Sequence, residues 1–252
     1  MSATGESSVQ FRSDITVELV RASASDADVL FSARVSTLGE QSLAGALDAG
    51  NAGGPEEPAP RDRGLINYLM RDRHGSPFEH NSMTFYVQAP IFVFREFMRH
   101  RIASYNEESG RYRELRPVFY VPDHDRALVQ VGKAGAYDFL PGTAEQHALV
   151  DVSVREVATH AYRSYRAMLD AGVAREVARM VLPLDLYSSM YVTMNARSLM
   201  NFLSLRRRAE GSTFPSFPQR EIEMCAEQME GAWERLMPLT HAAFVEHGRV
   251  AP

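Results

Sequence analysis

One cysteine, Cys225, stands in 252 residues. That excludes an intrachain disulfide, a cysteine-rich zinc site and a CxxC redox pair. Lysine is as scarce: of 27 lysine and arginine residues, only Lys133 is a lysine. It sits in Gly132-Lys133-Ala134, outside any GK[ST] phosphate loop, and is a poor candidate for Schiff-base chemistry. No G-x-G-x-x-G follows a strand-like run, which argues against a dinucleotide held in Rossmann fashion. No apolar stretch approaches the roughly 20 residues that cross a bilayer. Met1–Gln10 is small and polar, unlike a signal peptide, so a cytoplasmic protein with no membrane partner is expected. His74-x5-His80 and His241-x5-His247 match no helical metal-binding spacing, so no metal is expected, and His241 and His247 read as surface residues of the last helix. A formal net charge of -5 argues against nucleic acid as a partner.

What is present is arginine, the side chain suited to planar, bidentate recognition of phosphate and carboxylate. Hydrophobic residues at 45% and charged residues at 23% are those of an ordinary globular protein with a substantial core. Ile15 to Val20 reads as a strand, followed by a helix that starts near Ser25 and Asp26, good capping types. Residues 43–61, rich in Gly, Ala, Pro and Glu, read as a flexible insertion. Gly64 to Arg71 is helical in pattern and ends at the turn His74-Gly75-Ser76-Pro77. Ser82 to Ala89 alternates, with Met83, Phe85, Val87 and Ala89 on one face, as a half-buried strand does. Pro90 opens a helix from Ile91 to about Arg101.

The second half is mostly helical. Helices are expected over Thr143–Ala171, Ala174–Leu182, a segment capped by Asn195, and one long final helix from Glu221 to about Glu246. Short strands are expected at Val118–Val121 and Leu186–Thr193. Strands and helices do not alternate strictly, so the reading is a single α+β domain over residues 1–252 with a small mixed or antiparallel sheet.

The densest polar cluster is Arg99-His100-Arg101, followed by Tyr105-Asn106-Glu107-Glu108-Ser109-Gly110-Arg111-Tyr112. On a helix Arg95 and Arg99 share a face. Guanidinium groups gathered at one helix end repel one another unless they neutralise something polyanionic, such as a nucleotide phosphate; the competing reading is a solvated arginine face with Glu partners. Glu107 and Ser109 add hydrogen-bonding groups, and Gly110 permits close backbone approach.

Arg99-His100-Arg101, seven intervening residues and Ser109 reproduce the RHR-x7-S signature, and here the chain resembles the flavin-dependent thymidylate synthase family. The likeness continues in His74-Gly75-Ser76-Pro77-Phe78-Glu79-His80, in Arg175 to Pro183, and in Asn195-Ala196-Arg197-Ser198-Leu199 through Arg206, from about residue 15 onward and in family order. The resemblance implies FAD as cofactor, with NADPH as reductant and methylenetetrahydrofolate as carbon donor, for methylation of carbon 5 of dUMP. It also implies a homotetramer with active sites shared between subunits. By the same resemblance His74, Ser76, Arg99, His100, Arg101, Glu107, Asn195, Arg197 and Asn201 contact the flavin. Glu96, Arg99, Glu107, Glu108, Ser109, Gly110, Arg111, Arg179 and Arg206 meet the nucleotide. Arg206 is the implied activator of the pyrimidine, stabilising negative charge as N3 ionises.

The chemistry agrees with that implication, because hydride delivery belongs to the cofactor and needs no protein nucleophile. Cys225, in the acidic run Glu221-Ile222-Glu223-Met224-Cys225, reads as a packing residue and not as an attacking thiolate. Two alternatives stand beside dUMP methylation. One is a paralogue that methylates UMP in nucleoside tailoring; the other is a flavin- or nucleotide-binding protein without turnover. Two places depart from the pattern of a compact family member: the insertion at residues 43–61, and Arg207 to Pro215, where many relatives are shorter and carry a histidine that is missing here before Gln219 to Ile222.

Overall fold

The computed structural model of the chain describes residues 8–43, 60–133 and 135–252. Eight strands are described: β1 (Gln10–Arg12), β2 (Thr16–Ser23), β3 (Ser82–Pro90), β4 (Ser104–Glu107), β5 (Val118–Tyr120), β6 (Val129–Lys133), β7 (Ala136–Leu140) and β8 (Tyr187–Met194). β1 pairs in parallel with β5, Gln10 opposite Val118 and Arg12 opposite Tyr120. A four-stranded sheet runs in the order β2-β3-β8-β4. β6 and β7 form an antiparallel hairpin of their own. With helices in the majority, the architecture is the α+β class expected. No helix among the described residues is long and apolar enough to cross a membrane.

The described residues gather into two compact units, within the bounds that follow. The first comprises Met1–Thr16, Val87–Arg99 and Asn106–Met190. Its centre is the long helix α4 (Ala144–Asp170). Thr143 opens it with a reciprocal capping box: Gln146 N–H donates to Thr143 Oγ1 at 3.3 Å and Thr143 N–H to Gln146 Oε1 at 2.9 Å. Ala158, Ala161, Tyr162 and Tyr165 recur at helical spacing and are buried. Ala158, Tyr162 and Tyr165 pack with Leu115, Phe119, Ala178 and Leu186 in one core cluster. The two tyrosine hydroxyls also serve the buried backbone of Leu115, one accepting from its N–H at 3.1 Å and the other donating to its carbonyl at 3.3 Å. Gly172, at φ 82, follows the helix in the left-handed region that ends helices.

The second unit comprises Val17–Tyr86, His100–Tyr105 and Tyr191–Pro252. Helix α1 (Asp26–Leu38) is capped by Ser25, which accepts from Asp28 N–H. Helix α2 (Pro60–Arg71) begins inside the segment expected to be a flexible insertion; residues 44–59 of that segment lie outside the described residues. Pro60 and Arg61 form its first turn, where a missing N–H costs nothing. Helix α6 (Ala196–Arg206) starts on two borrowed acceptors: Asn195 Oδ1 takes Ser198 N–H at 2.8 Å and Asn81 Oδ1 takes Ala196 N–H at 2.8 Å. Its Leu199, Phe202 and Leu203 are fully buried, as the spacing requires.

Three expectations are corrected here. The final helix is two helices, α7 (Arg220–Leu236) and α8 (Pro238–Glu246), broken at Met237 because Pro238 has no N–H to continue the ladder. The break leaves the N-terminus of α8 in need of acceptors, and Asp26 supplies them. Its carboxylate takes Leu239 N–H at 2.8 Å, Thr240 N–H at 2.9 Å and the Thr240 hydroxyl at 2.6 Å. His241 is not a surface residue: its side chain is 13% exposed and Nε2 lies 2.9 Å from Glu230 Oε1. The third concerns the Ile91 helix, α3, which runs only from Ile91 to Phe97. The arginine cluster therefore lies beyond its end.

Candidate active site

In the first unit the site residues gather on the turn after β4. Glu107 ends the strand and accepts the Ser188 hydroxyl at 2.8 Å through Oε1. Burial pushes its pKa up and the like charge of Glu108 adds to this, against the Ser188 hydrogen bond and the charge of Arg179. Glu108 N–H donates to Ser189 O at 2.8 Å, which holds the turn to β8. Ser109 Oγ accepts Arg111 N–H at 3.3 Å and its carbonyl accepts Tyr112 N–H at 3.0 Å. The serine thus shapes the turn through both its hydroxyl and its carbonyl.

Gly110 is buried under Arg179: a Cβ there would stand 2.9 Å from Leu115 Cδ1 and 3.2 Å from Arg179 Cδ. Arg179, at the end of α5 (Arg175–Ala178), thus lies against the RHR-x7-S turn. Arg111 Nε pairs with Glu176 Oε2 of the same short helix at 3.0 Å. Glu107, Glu108, Ser109, Gly110, Arg111 and Arg179 are brought together. Glu96 and Arg99 sit at the end of α3, where Arg99 N–H donates to Glu96 O at 3.2 Å in a tightened last turn. Arg99 therefore does not continue a regular helical face from Arg95, and both guanidinium groups are exposed.

In the second unit His74 is fixed by a backbone bond to Leu69 O at 2.9 Å and by stacking on Tyr68, ring centroids 5.5 Å apart. Gly75 lets Arg197 lie against this turn: a Cβ there would fall 2.6 Å from Arg197 Nε and 2.7 Å from Pro252 O. Arg197 donates from Nε to Pro252 O at 2.6 Å and from Nη1 to Glu79 Oε1 at 2.5 Å. One turn on, Asn201 Nδ2 donates to Arg197 O at 3.1 Å. His74, Ser76, Arg197 and Asn201 form one group, with Asn195 capping the helix that carries two of them.

His100 and Arg206 form the other. Arg206, the last residue of α6, donates from Nε to His100 Nε2 at 3.1 Å. The imidazole meets Phe202 edge-on at 4.9 Å, and Tyr105 donates its hydroxyl to the His100 carbonyl at 2.7 Å. Burial, reinforced by the nearby charge of Arg206, lowers the His100 pKa to about 4. At neutral pH the ring is uncharged, so Nε2 is an acceptor and the proton resides on Nδ1. Burial alone pushes the Tyr105 hydroxyl up to about 12. Arg101, exposed, has no ion pair among the described residues and remains available to an anion.

Unfolded histidine takes up its proton near 6.5 and the folded His100 ring only near 4, so the unfolded state binds more protons between these values. Stability at this residue is complete above pH 6.5 and falls as pH drops toward 4, by on the order of 1 kcal/mol once partial exposure is discounted. Melting curves of the protein and of a His100→Gln variant across that window should diverge from parallel, the variant losing less on acidification.

Sequence reasoning missed Ser188 and Phe202, which meet Glu107 and His100 across long sequence separations, and Tyr68, which stacks on His74 from six residues away. It also missed Asp185, whose Oδ1 is buried without a hydrogen-bond partner and whose pKa burial pushes up to about 6 against a backbone hydrogen bond.

The family model described as "Thymidylate synthase complementing protein" matches residues 18–239. The flavin-dependent thymidylate synthase of Streptomyces coelicolor is 65% identical over 245 residues, 97% of this chain and 96% of that one. The chain belongs to the flavin-dependent thymidylate synthase family. A second relative of the same description, from Tropheryma whipplei, is 62% identical over 242 residues, 96% of this chain and 97% of its own. Among solved structures, a UMP/dUMP methylase from Streptomyces cacaoi bound with 5-Br dUMP superposes with a TM-score of 0.87 at 53% identity, over 97% of this chain and 100% of the other. The same methylase bound with 5-Br UMP gives a TM-score of 0.85. As a member of this family the enzyme is of the flavin-dependent methyltransferase type. Within the second unit the donors present fit a flavin nucleotide: Arg101 is an exposed guanidinium group suited to phosphate oxygens. His74, Ser76 and Asn201 offer ring, hydroxyl and amide groups on one exposed turn and helix face.

Proposed function

We propose that this chain catalyses the reductive methylation of dUMP at carbon 5 to give dTMP, with methylenetetrahydrofolate as carbon donor and FAD reduced by NADPH. The observation that carries the reading is the Arg206–His100 pair: a guanidinium at a helix end, oriented through Nε by a neutral imidazole that cannot repel it. Carbon 5 of uracil is a weak nucleophile until charge is drawn into the ring. A guanidinium preorganised toward that charge lowers the barrier by electrostatics.

The remaining roles follow from charge and position. Arg99, Arg101 and Arg179 take phosphates, the Glu107–Arg111 turn with Glu96 holds the nucleotide, and His74, Ser76, Asn195, Arg197 and Asn201 with His100 seat the cofactor. When bound, reduced flavin supplies the hydride that takes the transferred one-carbon unit to the methyl level as tetrahydrofolate leaves. No thiolate is asked for, and Cys225, fully buried, directs Sγ to Glu221 O at 3.6 Å.

A homotetramer with shared sites accompanies this reading. Leu149, Val152 and Val157 of α4, with Met180 and Val181 after α5, are apolar and exposed in the single chain, as a surface that meets another copy would be. Acting on free nucleotide and folate, the enzyme is assigned to the cytoplasm. A second reading, methylation of UMP, draws support from the likeness to a methylase solved with both 5-Br UMP and 5-Br dUMP. Purified protein given FAD, NADPH and methylenetetrahydrofolate with dUMP or UMP in parallel should methylate dUMP. Methylation of UMP with equal efficiency transfers the assignment to nucleoside tailoring. Product from neither substrate, with flavin bound, overturns the enzyme reading.

A further inference from the structure

Arg206 is bracketed by two tethers that meet at one carboxylate. On its far side, Arg207 Nε lies 2.5 Å from Glu230 Oε2, an ion pair by distance whose two atoms lack hydrogen-bond alignment, and Arg207 Nη1 lies 3.6 Å from Glu227 Oε1. Two residues before it, the Ser204 hydroxyl lies 2.6 Å from the carbonyl oxygen of Arg249, nearer than the 2.8 Å to the Met200 carbonyl of its own helix. The Arg249 guanidinium in turn donates from Nη2 to Glu230 Oε1 at 2.7 Å. His241 Nε2 reaches the same oxygen at 2.9 Å. Glu230 and Arg249 are each 6% exposed, so this is an ion cluster inside the unit and not a surface pair. Arg249 makes its contacts from a left-handed backbone, φ 59. A non-glycine residue keeps that conformation only where its surroundings over-determine it.

A helix end is the part of a helix least held by its own hydrogen bonds, because its last carbonyls lack intrahelical donors. The catalytic demand here falls on that end. A stabilising group displaced by about 1 Å can lose on the order of 100-fold in rate. We propose that Glu230 is the positioning residue for Arg206: by gripping Arg207 directly and Ser204 through Arg249, its carboxylate fixes the terminus of α6 and hence the stance of the Arg206 guanidinium. The role rests on Arg206 acting on the pyrimidine, as argued above. Burial works against the charge of Glu230, but the His241 hydrogen bond and the charges of Arg249 and Arg207 outweigh it and lower its pKa, which keeps the grip ionic at neutral pH.

The test compares Glu230→Gln, which keeps the shape and removes the charge, with Ser204→Ala, which removes one tether and leaves Glu230 paired. Turnover is expressed per bound flavin, dUMP affinity is measured by equilibrium binding, and thermal melting is followed alongside. Glu230→Gln should lower turnover per bound flavin about 10- to 100-fold with dUMP affinity changed less than about threefold. Ser204→Ala should lower it about 3- to 10-fold at a melting temperature near that of the parent. A purely structural role predicts fewer folded molecules, each of normal turnover, and that result overturns the proposal. Should Glu230→Gln fail to fold, Ser204→Ala decides alone: unchanged turnover overturns the proposal, a selective loss upholds it. Arg206→Ala run in parallel separates the two ideas, because normal methylation by that variant removes the reading of Arg206 and this proposal with it, whereas its loss beside normal Glu230→Gln turnover removes the proposal only.

Discussion

Arg206→Ala is expected to lower turnover with dUMP by about 100- to 1,000-fold, equivalent to about 3–4 kcal/mol of transition-state stabilisation, while bound flavin stays at the parent level. The size follows from what the guanidinium is asked to do. In the ground state the uracil ring is neutral and gains little from a nearby cation; as N3 ionises and carbon 5 attacks, charge grows and the interaction grows with it. Such a contact is felt in kcat more than in KM. Arg206→Lys should recover only part of the loss. It restores the charge but has no Nε–H to give to His100 Nε2, and so loses the bond that orients the group. Steady-state methylation assays with absorbance spectra of the bound flavin measure both quantities. Parent-like turnover by the alanine variant would remove Arg206 from the chemistry.

Much of the fold was legible because it is governed by neighbours in sequence. Met83, Phe85, Val87 and Ala89 alternate and are all fully buried. Thr143 with Gln146, Ser25 with Asp28 and Asn195 with Ser198 satisfy helix starts within a few residues. The break at Pro238 was readable by the same chemistry, since proline fits a first turn and not a helix interior, yet the apolar periodicity on either side ran through it. β1 was not readable. Three residues acquire strand character only by pairing with Val118–Tyr120. The hairpin β6–β7 left a clue in Gly132, where a Cβ would stand 2.3 Å from Ala136 O.

At the site, residue chemistry alone reached the arginine cluster and stopped. Arg206 at a helix end reads as a dipole partner, and Asn195 as a cap, which it also is. Family likeness proposes these residues for the site, and the fold then adds what likeness did not contain: the neutral His100 beside Arg206, Ser188 on Glu107, and Arg179 packed over Gly110. His241 was misjudged because its partner Glu230 lies on another helix, and no periodicity reports a pairing of that kind.

The largest effect on stability is expected from Asp26→Ala, at about 2–4 kcal/mol. Asp26 is buried in the first turn of α1 and serves a helix that is not its own, accepting two backbone N–H groups and one hydroxyl at the start of α8. Removing the carboxylate strands the N–H groups of Leu239 and Thr240 away from water and withdraws a negative charge from a helix N-terminus. For a chain of this length the loss corresponds to a fall in melting temperature of roughly 5–15 °C. Asp26→Asn should fall between, since its Oδ1 still accepts while its amide opposes another donor. The consequence extends to the site, because α8 leads into the segment whose Arg249 grips Glu230 and whose Pro252 carbonyl holds Arg197. Flavin retained through gel filtration should therefore decrease in Asp26→Ala even at temperatures where the variant remains folded. A melting temperature within about 2 °C of the parent would mean that α8 starts without its cap, and would separate the stability of this end of the unit from the seating of the cofactor.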